Sequence, residues 1–282
     1  MNPEILVSTE DLEQLISAGG CLVVDCRFDL SDGSKGRKDW LSGHIPGAHY
    51  AHLDDDLSAG ITAQSGRHPL PETEAFAAFL ASLGWDEGQL VVACDAGSNA
   101  IAGRLWWLMR YFGQPAALLD GGMAAWIEAG QPLQTGPVEA QTAPVPGLQG
   151  DPAMTVSTQQ ILENLETEGF TVLDARAPER FSGALEPLDT KAGHIPGAVN
   201  RHMQLNLQSN GKFKDPACLN SEFAACHDDA GAESVVHSCG SGITACHNLF
   251  AMELAGMRGG LLYPGSWSEW IRDPSRPVET ES

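Results

Sequence analysis

Val235-Val236-His237-Ser238-Cys239-Gly240-Ser241-Gly242-Ile243-Thr244-Ala245-Cys246 is the stretch on which the reading of this chain turns. Two β-branched apolar residues run into a cysteine, a glycine-rich stretch follows, and then come residues that suit a helix. That order predicts a strand, a tight loop and a helix N-terminus. Gly240 and Gly242 remove side chains where successive backbone N–H groups can curl around one point. The helix behind them adds unpaired N–H groups and the positive end of its dipole. A thiol placed there would be favoured as the thiolate, because the anion gains those donors. A buried, inert cysteine at a strand end is the plainer alternative.

Outward from that loop, the chain repeats itself. Val23-Val24-Asp25-Cys26-Arg27 recurs as Val172-Leu173-Asp174-Ala175-Arg176, and Gly43-His44-Ile45-Pro46-Gly47-Ala48 as Gly193-His194-Ile195-Pro196-Gly197-Ala198. Leu90-Val91-Val92-Ala93-Cys94-Asp95 answers Val235 to Cys239, with Asp95 at the position of the cysteine. Asp120 to Trp126 answers Tyr263 to Trp270 when Trp126 is matched to Trp270. Two long copies mean duplicated domains, not a solenoid. Residues 1–140 form one and 153–282 the other, joined by a proline-rich linker over 141–152. Residues 9–18 and 157–168 open on capping residues and keep helical apolar spacing, and 72–83 and 100–112 also read as helices. Strands alternating with helices predict an α/β fold in which each domain is a mainly parallel sheet with helices on both faces. Functional loops of such sheets gather at the carboxyl ends of strands, where Cys239 falls.

Composition narrows the function. The 282 residues include 37 acids against 16 bases, for a formal net charge of −21. That charge argues against nucleic-acid and anionic-membrane partners and gives weight to each arginine near an anion site. No apolar stretch approaches the length of a membrane span, and Met1 to Leu6 do not read as a secretion signal. Seven cysteines without a CxxC pair favour free thiols, a cytoplasmic setting and no structural zinc.

The paired Gly-His-Ile-Pro-Gly-Ala motifs, the Cys239-Gly240-Ser241-Gly242-Ile243-Thr244-Ala245 loop and Tyr263-Pro264-Gly265-Ser266-Trp267-Ser268-Glu269-Trp270 together resemble the tandem-domain rhodanese superfamily of sulfurtransferases, over nearly the whole chain. The uncharged loop is most like that of the mercaptopyruvate-using branch, since thiosulfate-specific members have basic residues there. The resemblance implies a catalytic C-terminal domain and a non-catalytic N-terminal one closing one side of a cleft. It implies a Cys239 persulfide formed from 3-mercaptopyruvate and discharged to a low-molecular-weight thiol, thioredoxin or cyanide. No metal or organic cofactor is expected, and one chain supplying both cleft walls implies a monomer. Ser241, His68 and Asp54 match a serine–histidine–aspartate set, with Asp55 and Asp56 adjoining the last. Arg180 matches a ligand for the donor carboxylate, and Gly240, Gly242, Ile243 and Thr244 present the loop to the substrate.

One departure stands out. The family's second carboxylate-binding arginine would follow Glu186-Pro187, where thiosulfate enzymes usually have an acid and this chain has Leu188; Lys191 or Arg201 is the candidate replacement. Because Leu188 matches neither pattern, a thiosulfate:cyanide sulfurtransferase is the alternative reading. Three other readings weigh less. A phosphatase of the same fold needs an arginine six residues after the cysteine, and Ala245 stands there. An inactive binding scaffold would be expected to lack the cysteine. The histidines of the two His-Ile-Pro-Gly motifs, with His49, His52 and His202, read as structural residues and not as metal ligands. Asp25, Arg27, Asp174 and Arg176 read as pairs at strand ends.

Overall fold

The computed structural model describes residues 5–226 and 231–281, so the first four residues, used above against a secretion signal, lie outside it. Contacts divide the chain into two units. One comprises Met1–Ala59, Leu70–Asp151 and Ser209–Phe213; the other comprises Gly60–Pro69, Pro152–Gln208 and Lys214–Ser282. A ten-residue segment of the first repeat therefore belongs to the second unit. That exchange is invisible in a sequence read as two consecutive halves.

In the first unit the order is β1 (Leu6–Val7), α1 (Thr9–Ser17), β2 (Cys21–Asp25), α2 (Lys35–Ser42), β3 (His49–Tyr50), α3 (Thr73–Ser82), β4 (Leu90–Cys94), α4 (Ala102–Tyr111), β5 (Ala116–Leu119) and α5 (Gly122–Glu128). Its sheet runs β1-β5-β4-β2-β3, and every paired strand is parallel. The second unit has α6 (Thr158–Thr167), β6 (Thr171–Asp174), α7 (Pro178–Ser182), β7 (Val199–Asn200), α8 (Pro216–Ala224), β8 (Val235–Ser238), α9 (Thr244–Leu254), β9 (Leu261–Leu262) and α10 (Ser266–Trp270). Its parallel sheet runs β7-β6-β8-β9. β2, β4, β6 and β8 are buried almost throughout, as strands covered on both faces must be.

The repeated motifs have the same physical job in each unit. Ile45 and Ile195 enter the two hydrophobic cores, beside Val92 and Trp126 in one and Val236 and Trp270 in the other. Pro and Gly after each isoleucine close a tight turn: Ala48 N–H donates to Ile45 O (2.8 Å), and Ala198 N–H to Ile195 O (3.1 Å). Gly47 and Gly197 take φ of 77° and 73°, which a side chain would resist. Asp25 and Asp174 grip Arg27 and Arg176, and each guanidinium also donates to the carbonyl preceding its motif histidine, Gly43 O or Gly193 O. His44 Nδ1 lies 2.7 Å from Trp40 O, and His194 Nδ1 lies 2.9 Å from Phe181 O, so both motif histidines serve the fold. Capping boxes start α1 at Ser8 and α6 at Ser157. No described helix is long and apolar enough to cross a membrane.

Candidate active site

In the second sheet, β6 has β7 on one side and β8 on the other, so the chain changes direction between β6 and β8. Open α/β sheets bind ligands at the carboxyl ends flanking such a point. Cys239 follows β8 directly and is buried. Its Sγ accepts the Gly242 N–H at 3.1 Å, and α9 begins two residues later at Thr244. Gly242 has φ of 79°, and a Cβ on it would come within 2.4 Å of Pro264 O, so only glycine fits. Ile243 occupies the N-cap position of α9 with its side chain buried.

The segment around α10 holds this loop from the other side. Cys239 N–H donates to Ser266 Oγ (3.1 Å), Trp267 N–H to Cys239 O (3.0 Å) and Ser268 N–H to Gly240 O (2.9 Å). Ser266 Oγ in turn donates to Tyr263 O at 2.9 Å. Ser266 adopts φ of 51°, unusual for a residue with a side chain; its hydroxyl is what fixes the nucleophile's own N–H. The same contacts recur in the first unit, where Met123 N–H donates to Asp95 O (2.9 Å) and Ala124 N–H to Ala96 O (3.1 Å). Asp95 is thus the structural counterpart of Cys239. Its carboxylate accepts the N–H groups of Gly97 (3.0 Å), Asn99 (2.8 Å) and Ile101 (2.9 Å), so the chain fills its own anion cradle there.

The 60–69 segment brings two side chains to the Cys239 loop. Gly66 packs so closely that a Cβ on it would lie 2.6 Å from Gly265 O, and Arg67 N–H donates to Ser268 Oγ at 3.0 Å. Buried His68 then places Nδ1 2.7 Å from Ser241 Oγ. A Cβ on Gly240 would lie 3.0 Å from Arg67 Nη2 and 3.4 Å from both terminal nitrogens of Arg180. The loop has no basic residue of its own, yet two guanidinium groups stand beside it.

Those arginines are held by acids. Glu186 accepts from the Nε–Nη2 edge of Arg180 at 2.9–3.1 Å, and Asp189 accepts from Arg180 Nη2 (3.1 Å) and from Arg67 Nη1. The two-bond edge expected to grip a donor is therefore filled by Glu186. Burial acts to raise the Glu186 carboxyl, but hydrogen bonds from Arg180 and the Leu188 N–H, with the Arg180 charge, outweigh it and the net shift is downward. Burial prevails at Asp189 and raises it, although both arginines oppose that shift.

The structure treats the remaining predicted residues differently. Arg201 is buried against other partners: it donates to Glu222 (2.8 Å) and to His202 O (3.3 Å) and lies over the Phe223 ring. Those contacts engage its guanidinium, and no described contact joins it to the Cys239 loop. Lys191 lends its backbone carbonyl to Trp267 Nε1, and Leu188 is half-exposed. Asp54 lies in the first unit, in the turn after β3, with its N–H directed at His52 Nδ1 (3.3 Å). The sequence reading gave Arg67, Glu186, Asp189 and Ser266 no role in the site. The adjacency of Arg67 to His68 was the one local signal for any of them. Among the other cysteines, burial pushes Cys21 up to about 11 and raises Cys26, Cys94 and Cys226, while a hydrogen bond to Glu222 raises Cys218.

The fold has counterparts among known proteins. The rhodanese-like domain family matches residues 8–129 and 157–273, and the chain belongs to that family in its two-domain form. A Pseudomonas aeruginosa protein named "Probable 3-mercaptopyruvate sulfurtransferase" is 43% identical over 283 residues, covering 99% of each chain. Bovine thiosulfate sulfurtransferase is 31% identical, covering 98% of this chain and 94% of its own. The solved 3-mercaptopyruvate sulfurtransferase from Leishmania major superposes with a TM-score of 0.85 at 26% identity, covering 97% of this chain and 76% of that one.

Proposed function

We propose that this protein is a sulfurtransferase that moves sulfane sulfur from 3-mercaptopyruvate to a thiol or cyanide through a persulfide on Cys239. The observation that carries the reading is the Cys239 Sγ, held at the end of β8 by the Gly242 N–H (3.1 Å) beside the Ser241–His68 contact (2.7 Å). Backbone donors aimed at a sulfur stabilise negative charge on it in both halves of a double displacement. The Cys239 thiolate attacks the donor's sulfur and an S–S bond forms. The donor's C–S bond breaks, its electron pair passes to the methylene carbon, and protonation of the resulting enolate gives pyruvate. Ser241, hydrogen-bonded to His68, is the hydroxyl to which we assign delivery of that proton. An acceptor thiolate or cyanide then takes the outer sulfur and returns Cys239 to the thiolate. Every electron pair stays within the reacting species.

Arg180 supports an α-keto acid donor through its Nη1, and Gly240, Gly242, Ile243 and Thr244 shape the loop around it. Asp54 belongs to the proposal only as a candidate partner of His68. In the division of labour we adopt, 1–140 has no nucleophile of its own but lends His68 through its 60–69 segment, 141–152 is a linker and 153–282 carries the nucleophile. We place the protein in the cytoplasm, where thiols stay reduced, because its seven cysteines form no disulfide; a monomeric state, with thioredoxin among the acceptors, belongs to the same proposal. Treating the protein with 3-mercaptopyruvate should add one sulfur atom to the Cys239 peptide by mass spectrometry. Cys239→Ser should lose all turnover, and retained turnover in that variant would refute the nucleophile. The donor assignment requires kcat/KM for 3-mercaptopyruvate to exceed that for thiosulfate; a reversed order selects the thiosulfate reading.

A further inference from the structure

The sequence shows Leu188 where a second carboxylate-binding arginine was expected, and neither proposed substitute reaches the loop by any described contact. Lys191 uses its carbonyl to hold Trp267, and Arg201 is spent on Glu222 and Phe223. The guanidinium that does stand at Gly240, besides Arg180, is Arg67.

We propose that Arg67 is the second donor-binding cation of this site, replacing the residue lost at Leu188, and that it reads the anionic group of the sulfur donor together with Arg180. The inference rests on the sulfurtransferase reading above. Three observations converge on it. First, proximity: Arg67 Nη2 is nearer to the Cβ position of Gly240, at 3.0 Å, than either terminal nitrogen of Arg180, at 3.4 Å. Second, rigidity: Gly66 is packed on Gly265 O and the Arg67 N–H is bonded to Ser268 Oγ, next to the Ser268 N–H that holds Gly240 O. The residue delivering the cation is thus tied to the peptide that carries the nucleophile.

The third observation is the asymmetry of exposure in the four-charge cluster. The Glu186 and Asp189 side chains are 3% and 4% exposed, whereas those of Arg180 and Arg67 are 18% and 26% exposed. The acids sit behind and neutralise the pair, while the arginines present what surface remains. Asp189 bridges them through Arg180 Nη2 and Arg67 Nη1, which directs Arg67 Nη2 and Arg180 Nη1 at Gly240 from two different residues. A carboxylate could take one N–H from each, a bidentate grip assembled from two half-forks. Because Glu186 and Asp189 cancel the two positive charges, the arrangement suits a singly charged carboxylate better than a dianion. Asp189 acts as the positioning residue.

The test uses the full-length chain with Arg67→Gln and Arg67→Lys. Arg67→Gln should raise KM for 3-mercaptopyruvate roughly 10- to 100-fold, the scale of one charge-assisted hydrogen bond, with kcat changed much less. Arg67→Lys should recover part of that loss, since it restores the charge without the planar donor geometry. A wild-type KM in Arg67→Gln overturns the inference, and so does a lost kcat with KM unmoved, which would mean that Arg67 only props the loop. Persulfide formation on wild-type Cys239 separates this outcome from failure of the underlying reading. If the wild-type protein gains no sulfur from 3-mercaptopyruvate, that reading falls and the inference falls with it.

Discussion

At Ser266 a single side chain holds a left-handed backbone that an L-residue adopts at a cost of roughly 1–2 kcal/mol. Its first-unit counterpart is Gly122, with φ of 54°, where a Cβ would strike Asp95 O at 2.7 Å. The second unit accepts the strain because the Ser266 hydroxyl holds the Cys239 N–H, and through it the direction of the nucleophile. Two substitutions separate strain from bonding. Ser266→Ala keeps the strain and leaves the buried Cys239 N–H unpaired, so it should lose about 2–3 kcal/mol in a denaturant titration. Ser266→Gly loses the same bond but relaxes the backbone, and should be the more stable of the two by about 1 kcal/mol. Equal stabilities would show that the φ of 51° stores no strain. In the sequence Ser266 figures only as a member of the Tyr263 to Trp270 motif, because nothing local marks a serine as left-handed.

Among the elements, the loop between a strand and the next helix occurs twice with opposite contents. After β4 the loop encloses the Asp95 carboxylate, and after β8 it encloses the Cys239 sulfur. The first loop shows what the architecture does to a fixed anion: three backbone N–H groups close on it at 2.8–3.0 Å. Removing that anion should be costly, since the Asn99 N–H is buried and the loop fixes all three donors toward the carboxylate. Asp95→Ala should destabilise the protein by about 2–4 kcal/mol in a denaturant titration, more than an ordinary polar-to-Ala change. A loss below about 1 kcal/mol would mean that the loop reorganises around water. The pairing of Asp95 with Cys239 was legible in the sequence because both follow apolar strands at equivalent places. The occupancy of the first cradle was not, because the donors come from residues two to six positions further on.

For the whole molecule, the net charge of −21 sets the background to its acid response. Protonating exposed carboxylates relieves self-repulsion, whereas protonating a carboxylate held low by arginines removes an attraction. Glu186 is of the second kind. Its titration in the folded state lies below that of the unfolded chain, so its contribution is complete above the unfolded value and is lost as pH falls through the folded one. Glu186→Gln should therefore be less stable than wild type at neutral pH. The gap should narrow as pH drops below about 4, where unperturbed glutamates titrate. Thermal melts across that range check the sign, and a gap that widens toward acid would contradict it.

Sequence alone was enough to read the duplication, the parallel α/β architecture, the place of Cys239 at a strand end and the presence of Asp95 at the matching place in the first repeat. Each of these is written in local order: runs of buried strand residues, turn-forming Pro-Gly pairs that drop an isoleucine into the core, and glycines where a backbone must curl. It also pointed to Ser241, His68 and Arg180 through resemblance. That Arg67 stands at the loop became visible on folding alone, because it depends on the 60–69 segment packing into the second unit on Gly265 and Ser268, about 200 residues away in sequence. Folding also decided that Arg201 is spent on Glu222, and that Glu186 and Asp189 steady the two guanidiniums beside Gly240. Long-range charge pairing leaves no periodicity in a chain; it is fixed only when folding brings the partners within hydrogen-bond reach and removes the water between them.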